Sequence, residues 1–187
     1  MTLAGALFTA GGAATCIAAF TPQLFPVWRA GFVAGLPVIK AHPCAWSAVT
    51  FLFALGAVLN FLGYAESSDR LRGPGTALIG ITTVLWLISL AFRWTVIPKV
   101  ARLETVPTWF EPLAAWAGGL WLIAAACGLG ALGVLAFVVL STHLVAAWVG
   151  WTVAAATAAM AAQLVITRDL PPIELYLPLL LVGIALR

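Results

Sequence analysis

The sequence predicts an all-α protein, a polytopic transmembrane bundle of about six membrane-spanning helices, forming one integral-membrane domain over residues 1–187. Three observations predict it. Hydrophobic residues make up 64% of the chain and charged residues only 8%, against about 25% charged in a soluble domain. Apolar stretches long enough to cross a hydrocarbon layer of about 30 Å recur along the chain. The few ionisable residues fall in connecting stretches, with two exceptions. Arg93 and His143 sit within or beside apolar runs, where such a group must snorkel, find a partner or serve a purpose.

The first span covers roughly residues 2–20 and is built of Ala, Gly, Leu and Phe. It lacks a basic leader and a convincing small-residue cleavage site, so it reads as a retained helix rather than a signal peptide. The pair Gly11-Gly12 allows a second helix to approach closely. Residues 21–43 are no clean span. Pro22, Pro26, Pro37 and Pro43 interrupt them, and Trp28, Arg29 and Lys40 suit the headgroup layer. An interfacial or partly re-entrant segment, able to form the rim of a cavity, is expected there. A loop lying on the bilayer is the plainer alternative.

A second span runs from about Cys44 to Tyr64, with Pro43 at its start, where the missing N–H costs nothing. A charged loop closing in Gly73-Pro74-Gly75 leads to a third span, from about Thr76 to Ile97. Arg93 and Trp94 lie near the end of that span. There Arg93 can snorkel toward the interface that Trp94 and Trp109 mark, or pair with Glu104 or Glu111 beside an anionic or headgroup site. A fourth span is expected from Pro112 to Cys127 and a fifth from Leu132 to Ile166, hinged at the uncharged Gly128-Leu129-Gly130. At about 1.5 Å per residue the fifth is too long for the bilayer, so it should be tilted or broken near Gly150. A short sixth span follows Pro171-Pro172 to the C-terminus. With six spans both termini share one side. The excess of Arg29, Lys40, Lys99, Arg102 and Arg168 on the other side makes the terminal side external.

On this reading His143 lies about ten residues, or roughly 15 Å, into the fifth span, near mid-membrane. Three roles suit it: an axial haem ligand, a proton acceptor on a permeation path, or a neutral imidazole bonded between helices. His42, the only other histidine, is expected about half a bilayer away in depth, which argues against a bis-histidine haem. Candidates for a ligand site or permeation path are His143, Arg93, Asn60, Gln163, Trp116, Trp121 and Trp151. Of the nine tryptophans, Trp86, Trp116, Trp121 and Trp148 are expected to lie deepest, filling gaps or lining a pocket for a flat or acyl ligand.

The net charge of +3 is spread over loops and lacks the dense patch that nucleic acid requires. Three cysteines without CxxC or zinc spacing predict neither a disulfide framework nor a metal site. No catalytic or nucleotide-binding motif occurs, and no acidic residue lies mid-span. The expected role is therefore non-enzymatic. The chain reads as a multi-pass protein of the plasma or cell inner membrane. It is expected to be an accessory or assembly subunit of a membrane complex or a binder of a hydrophobic ligand. Its partners would be membrane lipids, other membrane subunits or a second copy, and a hydrophobic small molecule. A small-solute transporter or channel, and a haem- or quinone-bearing redox subunit, are the rivals.

Overall fold

A computed structural model of the chain describes residues 2–67 and 73–186. It is all-helical: α1 (Leu3–Ala19), a 3₁₀ turn (Pro22–Leu24), α2 (Phe25–Ala41), α3 (Pro43–Ala65), α4 (Pro74–Thr95), α5 (Ile97–Val100), α6 (Phe110–Thr142), α7 (Ala147–Thr167) and α8 (Pro172–Ala185). Among the described residues, four helical stretches are long and apolar enough to cross a membrane: α3, α4 continued through α5, α6 and α7. Helix α1 and residues Pro22–Arg29, bent by 53° across the Pro22 turn, make a fifth if counted as one broken span. Helix α8, at 14 residues, is shorter than a span. The chain is thus a multi-pass membrane protein built as a helical bundle. Arg70, Arg72 and Arg187, the basic residues that the six-span count places on the terminal side, lie outside the described residues.

The outer faces of these helices are apolar. Ile17, Phe51, Val84, Ile123, Phe137 and Val165 are all exposed, as side chains facing lipid are. Lipid tails are as apolar as leucine, so the bundle cannot rely on water exclusion to bring helices together. Close backbone approach and hydrogen bonds hold it instead. A Cβ on Gly11 would lie 2.5 Å from Asn60 Nδ2 and 2.9 Å from the Gly56 carbonyl, and one on Gly56 would strike the Thr15 hydroxyl. Across the α1–α8 contact a Cβ on Gly12 would lie 2.6 Å from Leu180 Cβ, and one on Gly183 2.6 Å from the Thr9 amide nitrogen. The expected close approach at Gly11-Gly12 is what the packing uses. The Thr2 hydroxyl donates to the Leu186 carbonyl at 3.3 Å, so the start of α1 and the end of α8 share one end of the bundle.

Polar side chains tie α4 to α6. Thr82 Oγ1 shares its proton between the Leu78 and Ala124 carbonyls, each at 3.0 Å. Ser89 donates to the Ala117 carbonyl at 3.0 Å. Seven residues forward on α4 match seven residues back on α6, the register of an antiparallel pair. Two turns separate the bonds, so both hydroxyls lie on the same face.

The boundary between the fourth and fifth spans is corrected. Gly128-Leu129-Gly130 is not a junction but the middle of α6, which runs unbroken for 33 residues, or about 50 Å. In hydrocarbon an unbonded backbone group is costly, so two glycines cannot break a helix there without other partners. Gly128 instead makes room for Leu175, whose Cδ2 would lie 2.7 Å from an added Cβ. The break falls at His143, which caps α6 in the left-handed conformation (φ 53°), and α7 begins at Ala147. Gly150 lies inside α7, against Leu140.

Residues 21–43 are helical rather than a loop. Gly31 (φ 79°) divides α2, a backbone angle that only glycine adopts without strain. Leu24, Val27, Leu36 and Ile39 bury their side chains against the bundle, while Arg29 and Lys40 are exposed.

Candidate functional site

At the end of the bundle opposite the termini, a cavity of about 710 Å³ opens between α2, α6 and the α7–α8 linker. Its walls come from six places. Phe25, Trp28, Phe32 and Gly31 of α2 form one side; Phe53 of α3 and Arg93 of α4 form the back. Gly118, Gly119, Trp121 and Leu122 of α6 face them, and the stretch Arg168–Ile173 closes the rim, with Ala19 and Phe20 at the end of α1. Each wall has a local cause. Gly31 divides α2, and both halves supply lining, Phe25 and Trp28 before it and Phe32 after it. Arg168, left-handed at φ 54°, ends α7, and Pro171-Pro172 cannot continue it. A Cβ on Gly118 or Gly119 would meet nothing within 4 Å, so the missing side chains leave space.

Tryptophans fix the frame. Trp121 Nε1 donates to the Leu170 carbonyl at 2.7 Å, pinning the linker to α6. Trp46 Nε1 donates to the Arg93 carbonyl at 2.8 Å, one of the last-turn carbonyls that a helix leaves free. Trp46 also stacks near Trp28 (5.8 Å between centroids) and Phe32 (6.1 Å), carrying α2 onto α3. Trp86 packs beneath Trp121 at 4.3 Å.

Arg93 lies in this frame. Its guanidinium carbon is 4.8 Å from the Phe32 ring and 4.6 Å from the Trp86 ring. Cation–π contacts of this kind stabilise by up to about 2 kcal/mol each when water is excluded. The expected snorkelling is corrected: the side chain turns inward, against rings that hold it. Nor does it pair with Glu104 or Glu111, both exposed; among the described residues its side chain makes no hydrogen bond or ion pair. Its Nε is buried without a partner, as are Trp28 Nε1 and Trp86 Nε1. All three are donors that cannot accept. Arg29 and Arg168 lie at the exposed rim with Asp169 as the only carboxylate of the lining, so the cavity is basic as well as aromatic.

Of the residues singled out from the sequence, Arg93 and Trp121 meet in this cavity. The others line neither it nor the two other cavities. Asn60 is buried in the α1–α3 seam, its Nδ2 donating to the Gly56 carbonyl at 2.7 Å and its Oδ1 unpaired. Gln163 is half-exposed on α7. Trp116 and Trp151 point outward, 55% and 67% exposed, as does Trp148. Trp86 and Trp121 are buried as expected. His143 is exposed in the α6–α7 turn, not mid-membrane, because the helix it was placed in ends just before it. His42, exposed at the start of α3, is at the opposite end of the bundle. The haem and proton-path readings of His143 lose the position on which they rested.

The sequence did not single out Phe53, named Arg168 only for the charge bias, and placed Trp28 and Arg29 in the headgroup layer within the expected rim segment. Their signal was adjacency of an aromatic and a cation at Trp28-Arg29, repeated at Arg93-Trp94. Among the described residues no three His, Cys, Asp or Glu side chains converge on one point. Comparison of the chain with protein-family models, with curated proteins and with solved structures gave no match.

Proposed function

We propose that this membrane protein binds a hydrophobic, long-chain ligand in the cavity between α2, α6 and the α7–α8 linker. The observation that carries this reading is the glycine-floored, aromatic-walled space of about 710 Å³. That volume lies within the ~300–1,000 Å³ of small-molecule sites, which are apolar with few polar groups. Its place at the basic end of the bundle lets a chain enter from the bilayer while the ligand's polar end stays near Arg29 and Arg168. A path for small solutes has less support, because Asn60, Gln163 and His143 share none of the three cavities.

The test is photolabelling of the purified protein in lipid nanodiscs with a diazirine-bearing hexadecanol, read by peptide mass spectrometry. Label should concentrate on peptides containing Trp28, Gly118–Leu122 and Leu170–Ile173. It should fall at least about tenfold in Gly119→Leu, which fills the space. Gly133, in α6 with nothing within 4 Å of an added Cβ and outside this cavity, supplies the control Gly133→Leu. Uniform labelling of all outer faces, indifferent to Gly119→Leu, would defeat the reading.

A second reading, an accessory subunit that docks on another membrane protein, is favoured by α7. It is the least buried of the four long spans. Alanines 155, 158, 159 and 162 are exposed along it, and small residues are what membrane helices use to approach one another. Cross-linking from a cysteine at Ala158 to a defined partner helix would support it. A monomer that yields no cross-link in native membranes would count against it.

A further inference from the structure

We infer that the cavity selects a ligand with an anionic head group, carboxylate or phosphate, and that Arg93 is the residue that receives it. This deepens the ligand-binding reading and rests on it. Buried polar groups in a folded protein nearly always find partners, and a charge inside a membrane protein is normally paired. Arg93 and Trp28 line the cavity with Nε and Nε1 unpartnered, and Trp86, which lies behind the lining with its ring against the Arg93 guanidinium, leaves its Nε1 unpartnered as well. Arg93 has no carboxylate partner among the described residues.

Thr82, Ser89, Trp46 and Trp121 all reach carbonyls on neighbouring elements. The buried atoms left unpaired away from the cavity, Asn60 Oδ1 and the Tyr64 and Tyr176 hydroxyls, are neutral. Arg93 is the charged side chain among the unpaired groups, and what it lacks is an acceptor. The rings of Phe32 and Trp86 hold the guanidinium in place without consuming its N–H groups. A planar fork so presented matches the paired oxygens of a carboxylate or phosphate. Arg29 and Arg168 at the rim add charge of the same sign, outweighing Asp169. A neutral head group would leave Arg93 uncompensated; an anion would satisfy it. The apolar walls accept the chain, and the ring-held arginine accepts the head.

Competition against the diazirine hexadecanol tests this directly, at a pH where the acids are ionised. The competitors are oleate, oleoyl lysophosphatidate and oleyl alcohol, which share a chain and differ in the head. In the native protein both anions should compete at least about tenfold better than the alcohol, a difference of about 1.4 kcal/mol. The better of the two anions identifies the head as carboxylate or phosphate. Arg93→Gln should erase the preference and Arg93→Lys restore part of it, since charge returns without the fork. Arg29→Gln combined with Arg168→Gln, both at exposed positions, should weaken the anions about threefold and leave the alcohol unchanged. That variant reads the same preference if Arg93→Gln does not fold. Equal competition by all three amphiphiles, unaltered by the arginine variants, would overturn the anion assignment while leaving the cavity as a ligand site. Absence of cavity labelling at the outset would remove the ligand site itself.

Discussion

Two glycine pairs do opposite things in this molecule. Gly11-Gly12 in α1 is filled from both sides, by Asn60 and Gly56 of α3 and by Leu180 of α8. Gly118-Gly119 in α6 is met by nothing, and the space becomes the floor of the cavity. The composition is the same and the helical setting is the same. What differs is whether another helix arrives. At α1 two helices do. At α6 rings and arginines of α2 and the α7–α8 linker border the cavity, and none comes within 4 Å of a Cβ added to either glycine. A small residue in a membrane helix permits approach; it does not compel it.

Substitutions on the two pairs sharpen that contrast. The largest effect is expected in the filled seam. Gly11→Leu drives a side chain into Asn60 and the Gly56 carbonyl, and Gly183→Leu does the same to the α1 backbone at Thr9. Overpacking of this kind destabilises by about 3 kcal/mol, visible as a large fall in the thermal midpoint in detergent. Unchanged stability would show that α1 and α3 are not this close. Gly119→Leu should instead fold normally, since leucine is a better helix former than glycine by about 0.8 kcal/mol. Its loss should appear in ligand labelling and not in the melting curve. If it unfolds the protein, the space is not open.

Smaller effects distinguish the bonded frame from the unpaired site. Trp121→Phe keeps the ring over Trp86 but removes the bond to the Leu170 carbonyl, at a cost of about 1 kcal/mol. Hydrogen exchange should then rise at residues 168–172 before it rises elsewhere. Thr82→Val and Ser89→Ala should each cost about 0.6 kcal/mol, the average of such bonds inside membranes. Their double variant should cost close to the sum if the two bonds act independently. The smallest change is expected at His143. His143→Gly relieves a left-handed backbone and should leave stability within about 1 kcal/mol of native or raise it. A large loss would return His143 to the list of buried, functional groups.

Much of the fold was legible because the signals are local. Pro43 and Pro172 start their helices, and Gly-Pro-Gly at Gly73–Gly75 leads into α4. Apolar run length shows which stretches are suited to crossing. The boundary at residues 128–130 misled because glycine is a breaker in water and a packing surface in hydrocarbon. His143 was misplaced by the same error, one helix end displaced by a turn-forming reading. The cavity was only partly legible. Residues 21–43 were expected to form a rim, and Arg93 and Trp121 were among the candidates. Phe53 and Arg168 come from two other elements, α3 and the end of α7, and no spacing along the chain links them to Arg93 and Trp121.

Hydropathy and proline placement alone determined that this chain is a multi-pass helical membrane protein, because each residue's cost in hydrocarbon depends on its own chemistry. Which glycines are covered, which way Arg93 turns and which donors are left unpaired were decided only by the assembled bundle. Those outcomes depend on what lies opposite a helix face, and the facing residues are brought there by helices distant in the chain.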